Sequence, residues 1–132
     1  FGFVFQGVVV GVPIVATYDV AGDGQSRLYF YDAMGANFEV TEYAATGSGS
    51  PAVRGVLFYE NRWGEKSLEK LKEDDAVTLA LRALDTAAES DTATGGVDRL
   101  GRIYPIIKII SAERIKTLSE TQIAARVKST VA

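Results

Sequence analysis

Apolar and polar positions change rhythm several times along the chain, and each rhythm predicts a different element. Phe1 to Ala16 is almost unbroken apolar, interrupted only by Gln6, three glycines and Pro13. So uniform a run carries no period, so Phe1–Gly11 fits the end of a buried helix or a strand. It is slightly short for a membrane span and has no basic leader, which makes it core. A chain that opens inside a core segment is expected to have more of its fold ahead of Phe1. Pro13 to Val20 then reads as a strand, with Ile14 and Val15 β-branched. Arg27 to Tyr31 alternates as a second strand, and Asn37 to Ala45 is a third. Gly22-Asp23-Gly24 and Asp32-Ala33-Met34-Gly35 are the turns between them. Three strands at this spacing predict an antiparallel meander.

The period lengthens after the third strand. Ser50 to about Tyr59 reads as a helix, with Ser50 as its N-cap and Pro51 in the first helical position. Val53, Val56 and Leu57 fall on one face. Arg62 to Lys72 is a charged connection. Glu73 to about Glu89 has the clearest helical stripe, in Val77, Ala80, Leu81, Leu84, Ala87 and Ala88. Glu73, Asp74 and Asp75 suit the positive end of its dipole. Arg102 to Ser111 is an isoleucine-rich strand, and Ala112-Glu113-Arg114 turns into a second at Ile115 to Leu118. Ser119-Glu120-Thr121-Gln122 is a capping box that opens a last helix with Ile123, Ala124 and Val127 inward. The order β-β-β-α-α-β-β-α predicts an α+β fold, with antiparallel sheets flanked by helices and a single domain over residues 1–132.

Composition narrows the chemistry. The chain is 47% hydrophobic and 23% charged, in the range of globular domains. Its net charge of −3 comes without a basic block, so neither nucleic acid nor a membrane surface is an expected partner. Cysteine and histidine are both absent from the sequence. That excludes disulfides, a thiol nucleophile, the usual zinc sites and a Ser-His-Asp triad within these residues. Proton transfer falls to carboxylates, lysines, hydroxyls or an amine. No metal or other cofactor is expected.

Two small-residue turns carry the candidate chemistry. Thr46-Gly47-Ser48-Gly49-Ser50-Pro51 joins a strand to a helix. Amides at a helix start attract anions, so Gly47 to Ser50 fits an anion cradle, although no Gly-Lys-Ser/Thr follows. On spacing alone the favoured reading is a tight strand-to-helix turn. Asp91-Thr92-Ala93-Thr94-Gly95-Gly96 closes the long helix. It reads as a C-terminus with Gly95 as left-handed cap, or as a hydrogen-bonded relay of Asp91 and neighbouring hydroxyls. Asp32 is most simply a turn residue, and Glu73-Asp74-Asp75 a solvated helix start. Phe58, Tyr59 and Trp63 have the look of packing or subunit-contact residues.

Together these segments resemble the proteasome β subunit of archaea and actinobacteria. The resemblance is carried by Thr46-Gly47-Ser48-Gly49-Ser50-Pro51 followed by Gly55-Val56-Leu57, and by Asp91-Thr92-Ala93-Thr94-Gly95-Gly96. Tyr31-Asp32-Ala33-Met34-Gly35 matches that family's hairpin turn, and Gly101-Arg102-Ile103-Tyr104-Pro105 the actinobacterial penultimate strand. Phe5-Gln6-Gly7 through Tyr18-Asp19-Val20 is similar to its second helix and the strand that follows.

The resemblance implies an N-terminal nucleophile hydrolase, a four-layer α-β-β-α sandwich of which these residues form the C-terminal portion. In that family a threonine at the mature N-terminus attacks the peptide carbonyl, and its own α-amine accepts the proton. An acidic residue and a lysine complete the core of the site. This sequence begins with Phe1, and the resemblance assigns nucleophile, acid, lysine and oxyanion donor to a segment ahead of it. What remains is a supporting shell. Ser48 matches the serine near the nucleophile's amine. Asp91 matches the aspartate that orients lysine and nucleophile. Thr94 stands where the family has serine and keeps the hydroxyl. Asp32 matches a residue that reaches a neighbouring subunit's substrate pocket. Gly47, Gly49, Gly95 and Gly96 shape the turns. The implied function is threonine-type endopeptidase activity on unfolded polypeptides inside a barrel-shaped cytoplasmic complex, with other β subunits and an α ring as partners. The 132 residues alone are expected to be inactive. A non-catalytic β-type assembly subunit and a small anion-binding domain using Gly47 to Ser50 remain the alternatives.

Overall fold

The computed structural model describes residues 14–18, 21–22, 24, 26–31, 37–40, 42–90, 104–111 and 113–130. The alternating first third forms an antiparallel sheet of β1 (Ile14–Tyr18), β2 (Ser26–Tyr31) and β3 (Asn37–Val40), in that order across the sheet. Register pairs Ala16 with Leu28, Leu28 with Val40, and Phe30 with both Ile14 and Phe38. Gly24, in the first connection, has φ +69°, where a Cβ would crowd the carbonyl. The expected meander is therefore present. Its third strand stops at Val40, short of the predicted Ala45, because Ala44 turns aside to line a cleft with Val53 and Leu57. The predicted elements over Phe1–Gly11 and the turn at Asp32–Gly35 lie outside the described residues.

Helix α1 (Ser50–Trp63) runs one turn beyond the predicted Tyr59. No breaker intervenes before Gly64, whose N–H caps the helix by donating to Glu60 O at 2.9 Å. A Cβ on Gly64 would lie 2.5 Å from that same oxygen, so this end is built for glycine. A short 3-10 turn at Leu68–Lys70 breaks up the charged connection. Helix α2 (Glu73–Ser90) follows, with its three acidic residues in the first turn.

Strands β4 (Lys108–Ile110) and β5 (Ile115–Thr117) form an antiparallel hairpin. The predicted strand from Arg102 is shorter than expected among the described residues. Pro105 has no N–H to give a ladder, and Tyr104 and Ile107 pack against the helical core instead. Helix α3 (Glu120–Thr130) opens on the predicted capping box. Gln122 N–H donates to Ser119 Oγ at 3.2 Å, and Ser119 N–H donates to Gln122 Oε1 at 2.8 Å.

The core sits on α2, which is covered from two sides. Val77 and Leu81 meet Ile123 and Val127 of α3, with Ile109 and Leu118 closing the cluster. Leu81 is wholly buried. On its other flank, Ala80, Ala83 and Leu84 face Val53 and Leu57 of α1 across an apolar cleft of about 380 Å³. Contact on two flanks explains why Ala83, outside the predicted stripe, is buried. Lys116 on β5 pairs with Glu73, and Arg126 on α3 pairs with Asp74, each at 2.5 Å. These pairs tie the start of α2 to the C-terminal elements. β1 approaches β4 and so joins the two ends of the described chain.

Candidate active site

The turn that heads α1 is built from backbone bonds. Ser50 N–H donates to Gly47 O at 3.1 Å and closes a four-residue turn. Val53 N–H donates to Gly49 O at 3.2 Å and begins the helical ladder. The helix cap is Gly49, at φ −84° and ψ 0°, not the predicted Ser50. The shift has a physical reason. Once Ser50's amide is drawn back to Gly47, Ser50 is already helical and cannot take the extended geometry of a cap. Pro51 accordingly sits one position later than predicted and, lacking an N–H, leaves no donor unsatisfied.

This bonding bears on the anion cradle. Of the first four positions of α1, Ser50 and Val53 have their amides engaged and Pro51 has none. Within the expected cradle, Gly47 to Ser50, the Ser50 amide is thus turned back onto Gly47 O. Gly47 has φ +99°, and a Cβ there would meet nothing within 4 Å. Its demand for glycine is thus conformational and not steric. Gly49 is buried, whereas Thr46, Gly47 and Ser48 are exposed. The Ser48 side chain makes no capping bond to α1. The turn thus presents an exposed serine between a left-handed glycine and a buried one.

Of the sequence-predicted site residues, the structure describes Ser48, Gly47 and Gly49, together in this turn. Asp32, Asp91, Thr94, Gly95 and Gly96 lie outside the described residues. Helix α2 is described to Ser90, whose Oγ donates to Thr86 O at 3.2 Å and Ala87 O at 3.3 Å. Asp91 is the next residue in the chain.

One feature escaped the sequence reading. Asn61, near the end of α1, donates from Nδ2 to Glu42 Oε2 at 2.7 Å and accepts at Oδ1 from Leu68 N–H at 2.9 Å. Predicting that the helix ended at Tyr59 left Asn61 beside a loop, where an amide side chain carries no particular signal. The outer face of α1 carries the three aromatics expected to serve packing or subunit contact. Phe58, Tyr59 and Trp63 are 59%, 62% and 66% exposed, so they are not packing residues among the described elements. The Arg62 guanidinium lies 5.2 Å from the centroid of the Trp63 ring, within cation–π range. No helix of the described residues is long and apolar enough to cross a membrane.

Residues 6–103 match the family model described as proteasome subunit. A proteasome subunit beta of Streptomyces griseus is 40% identical over 117 residues, covering 89% of this chain and 39% of the relative. A proteasome subunit beta of Frankia casuarinae is 35% identical over 127 residues, or 96% of this chain and 43% of the relative. The proteasome subunit beta 2 of Thermomonospora curvata is 38% identical over 128 residues, with coverages of 96% and 42%. The chain spans less than half the length of these curated relatives.

Proposed function

The chain belongs to the proteasome subunit family and is of its β type, and from that premise we propose that it forms the C-terminal portion of a threonine-type endopeptidase subunit. The single observation that carries this reading is the family match over residues 6–103, which includes both small-residue turns. The complete subunit would be a four-layer sandwich. It would work in a cytoplasmic barrel of β subunits and an α ring, on unfolded polypeptides.

In this reading the nucleophile is a threonine ahead of Phe1. Its hydroxyl adds to the peptide carbonyl while the α-amine takes the proton. Ser48 stands by that amine as a hydrogen-bonding relay, and its exposure in a hydrogen-bonded turn suits the role. Asp91 holds the lysine and the threonine by charge-assisted hydrogen bonds. Thr94 supplies a second hydroxyl, and Asp32 reaches toward a neighbouring subunit's substrate pocket. Membership of the family implies assembly with other proteasome subunits. The exposed Phe58, Tyr59 and Trp63 supply apolar area for such a contact.

The test is steady-state kinetics on assembled particles that carry Asp91→Asn, which keeps shape and removes charge. We expect kcat to fall by about tenfold or more, since a misoriented nucleophile loses proximity and proton-transfer advantage. An unchanged kcat with assembly intact reduces Asp91 to a helix-end residue. If wild-type particles assemble and cleave nothing, the subunit is a non-catalytic assembly component.

A further inference from the structure

Asn61 stands at the far end of α1 from the Thr46–Gly49 turn, yet it bonds the strand-side segment that leads into that turn. Glu42 lies beside Asn61, Ala44 lies in the cleft with Val53 and Leu57, and Gly49 caps the helix. Residues 42–49 therefore run back along α1 from its C-terminal end to its N-terminal end. The helix from Ser50 to Asn61 rises roughly 16 Å, whereas seven extended residues reach as far as roughly 24 Å. The returning segment is longer than the path it covers, so its length alone does not hold it in place. Its end is set by the Gly49 cap. Its beginning follows β3, which is paired in the sheet as far as Val40, and is fastened to α1 by the solvent-exposed Glu42–Asn61 bond. Residues 43–46 form no strand that would supply a ladder instead.

We infer that Asn61 is a positioning residue for Ser48, acting as a two-sided clasp. Its amide nitrogen pins Glu42, and with it the register of residues 43–49 on α1. Its amide oxygen takes Leu68 N–H at the start of the 3-10 turn, where Ser67 offers no side-chain cap. One side chain thus fastens both the segment entering α1 and the one leaving it. The catalytic part of this inference rests on the reading of Ser48 given above. The clasp itself rests on geometry alone.

The experiment uses the complete subunit in assembled particles, with amide exchange and kinetics measured on the same samples. Glu42→Ala removes the acceptor. Asn61→Asp removes the donor and keeps the acceptor for Leu68. Glu42→Gln keeps an accepting oxygen and serves as the conservative control. We expect the first two to speed exchange at residues 43–49 by about tenfold, as local opening becomes easier. Leu68 should stay protected in Asn61→Asp, and Glu42→Gln should behave as wild type. Glu42→Ala should lower kcat and leave KM unchanged. In a Ser48→Ala background it should lower kcat no further, because the two changes act through one group. Unchanged exchange at residues 43–49 in both disruptive variants overturns the clasp. A kcat loss that multiplies with that of Ser48→Ala overturns the positioning of Ser48. If Ser48→Ala alone leaves kcat intact, the catalytic reading of Ser48 fails, and exchange still decides for or against the clasp.

Discussion

Ser48 and Gly47 are neighbours with opposite expectations. The Ser48 hydroxyl is exposed and caps nothing, so Ser48→Ala should change stability by less than about 0.5 kcal/mol. If it serves proton transfer near the terminal amine, kcat should nonetheless drop. Melting temperature and kcat, measured on the same assembled variant, separate the two roles; lost stability with full activity removes the catalytic one. Gly47→Ala inverts the pattern. There is room for the methyl group, but φ +99° is strained for any residue with a Cβ, at a cost of about 1–3 kcal/mol. Its melting point should fall even though no contact is lost. The glycines of this turn were legible as a turn in the sequence. Which residue caps the helix was not, because Ser50 and Gly49 both satisfy cap statistics and only the Gly47–Ser50 bond decides between them.

Helix α2 holds the described elements together, and Leu81 is its largest fully buried side chain. Leu81→Ala removes methyl groups that meet α3, at an expected cost of about 2–5 kcal/mol with incomplete collapse of the cavity. Chemical denaturation of assembled and free subunit would read it. Gly55 gives the reverse case. It lies exposed within α1, and a Cβ there would meet nothing within 4 Å. Gly55→Ala should therefore stabilise the free chain by up to about 1 kcal/mol through helix propensity. Both Glu73–Lys116 and Asp74–Arg126 are partly exposed, and pairs of this kind contribute at most about 1 kcal/mol. The elements themselves were readable because local signals agreed with tertiary demands: alternation in Arg27–Tyr31, a stripe in α2, a capping box at Ser119. Their ends were less so. Ala44 left its strand and α1 passed Tyr59 because of contacts between elements, which no local period encodes. The clasp at Asn61 was illegible for the same reason, since Glu42 and Asn61 are joined only when the segment folds back.

The described residues leave apolar surface open. Ile106 is 82% exposed and Ile115 47% exposed along the β4–β5 hairpin, and the α1–α2 cleft is open to solvent. Patches of this kind mark interaction surfaces or aggregation liabilities. With the proposed nucleophile assigned ahead of Phe1, the isolated 132-residue polypeptide should hydrolyse no fluorogenic peptide. Turnover that survives further purification and responds to an active-site proteasome inhibitor would overturn that expectation.

The described topology also predicts how the chain acquires its structure. Among the described residues every strand pairing, β1 with β2, β2 with β3 and β4 with β5, joins neighbours in sequence, and α1 packs on α2. Such local closures incur little loop entropy and form early. The contact of β1 with β4 instead joins strands at Ile14–Tyr18 and Lys108–Ile110 across both helices between them. The late step in folding is then the meeting of two preformed halves. A substitution at β4 that weakens this seam should slow the approach to the native state and leave the hairpins and the helix pair to form at their own rates.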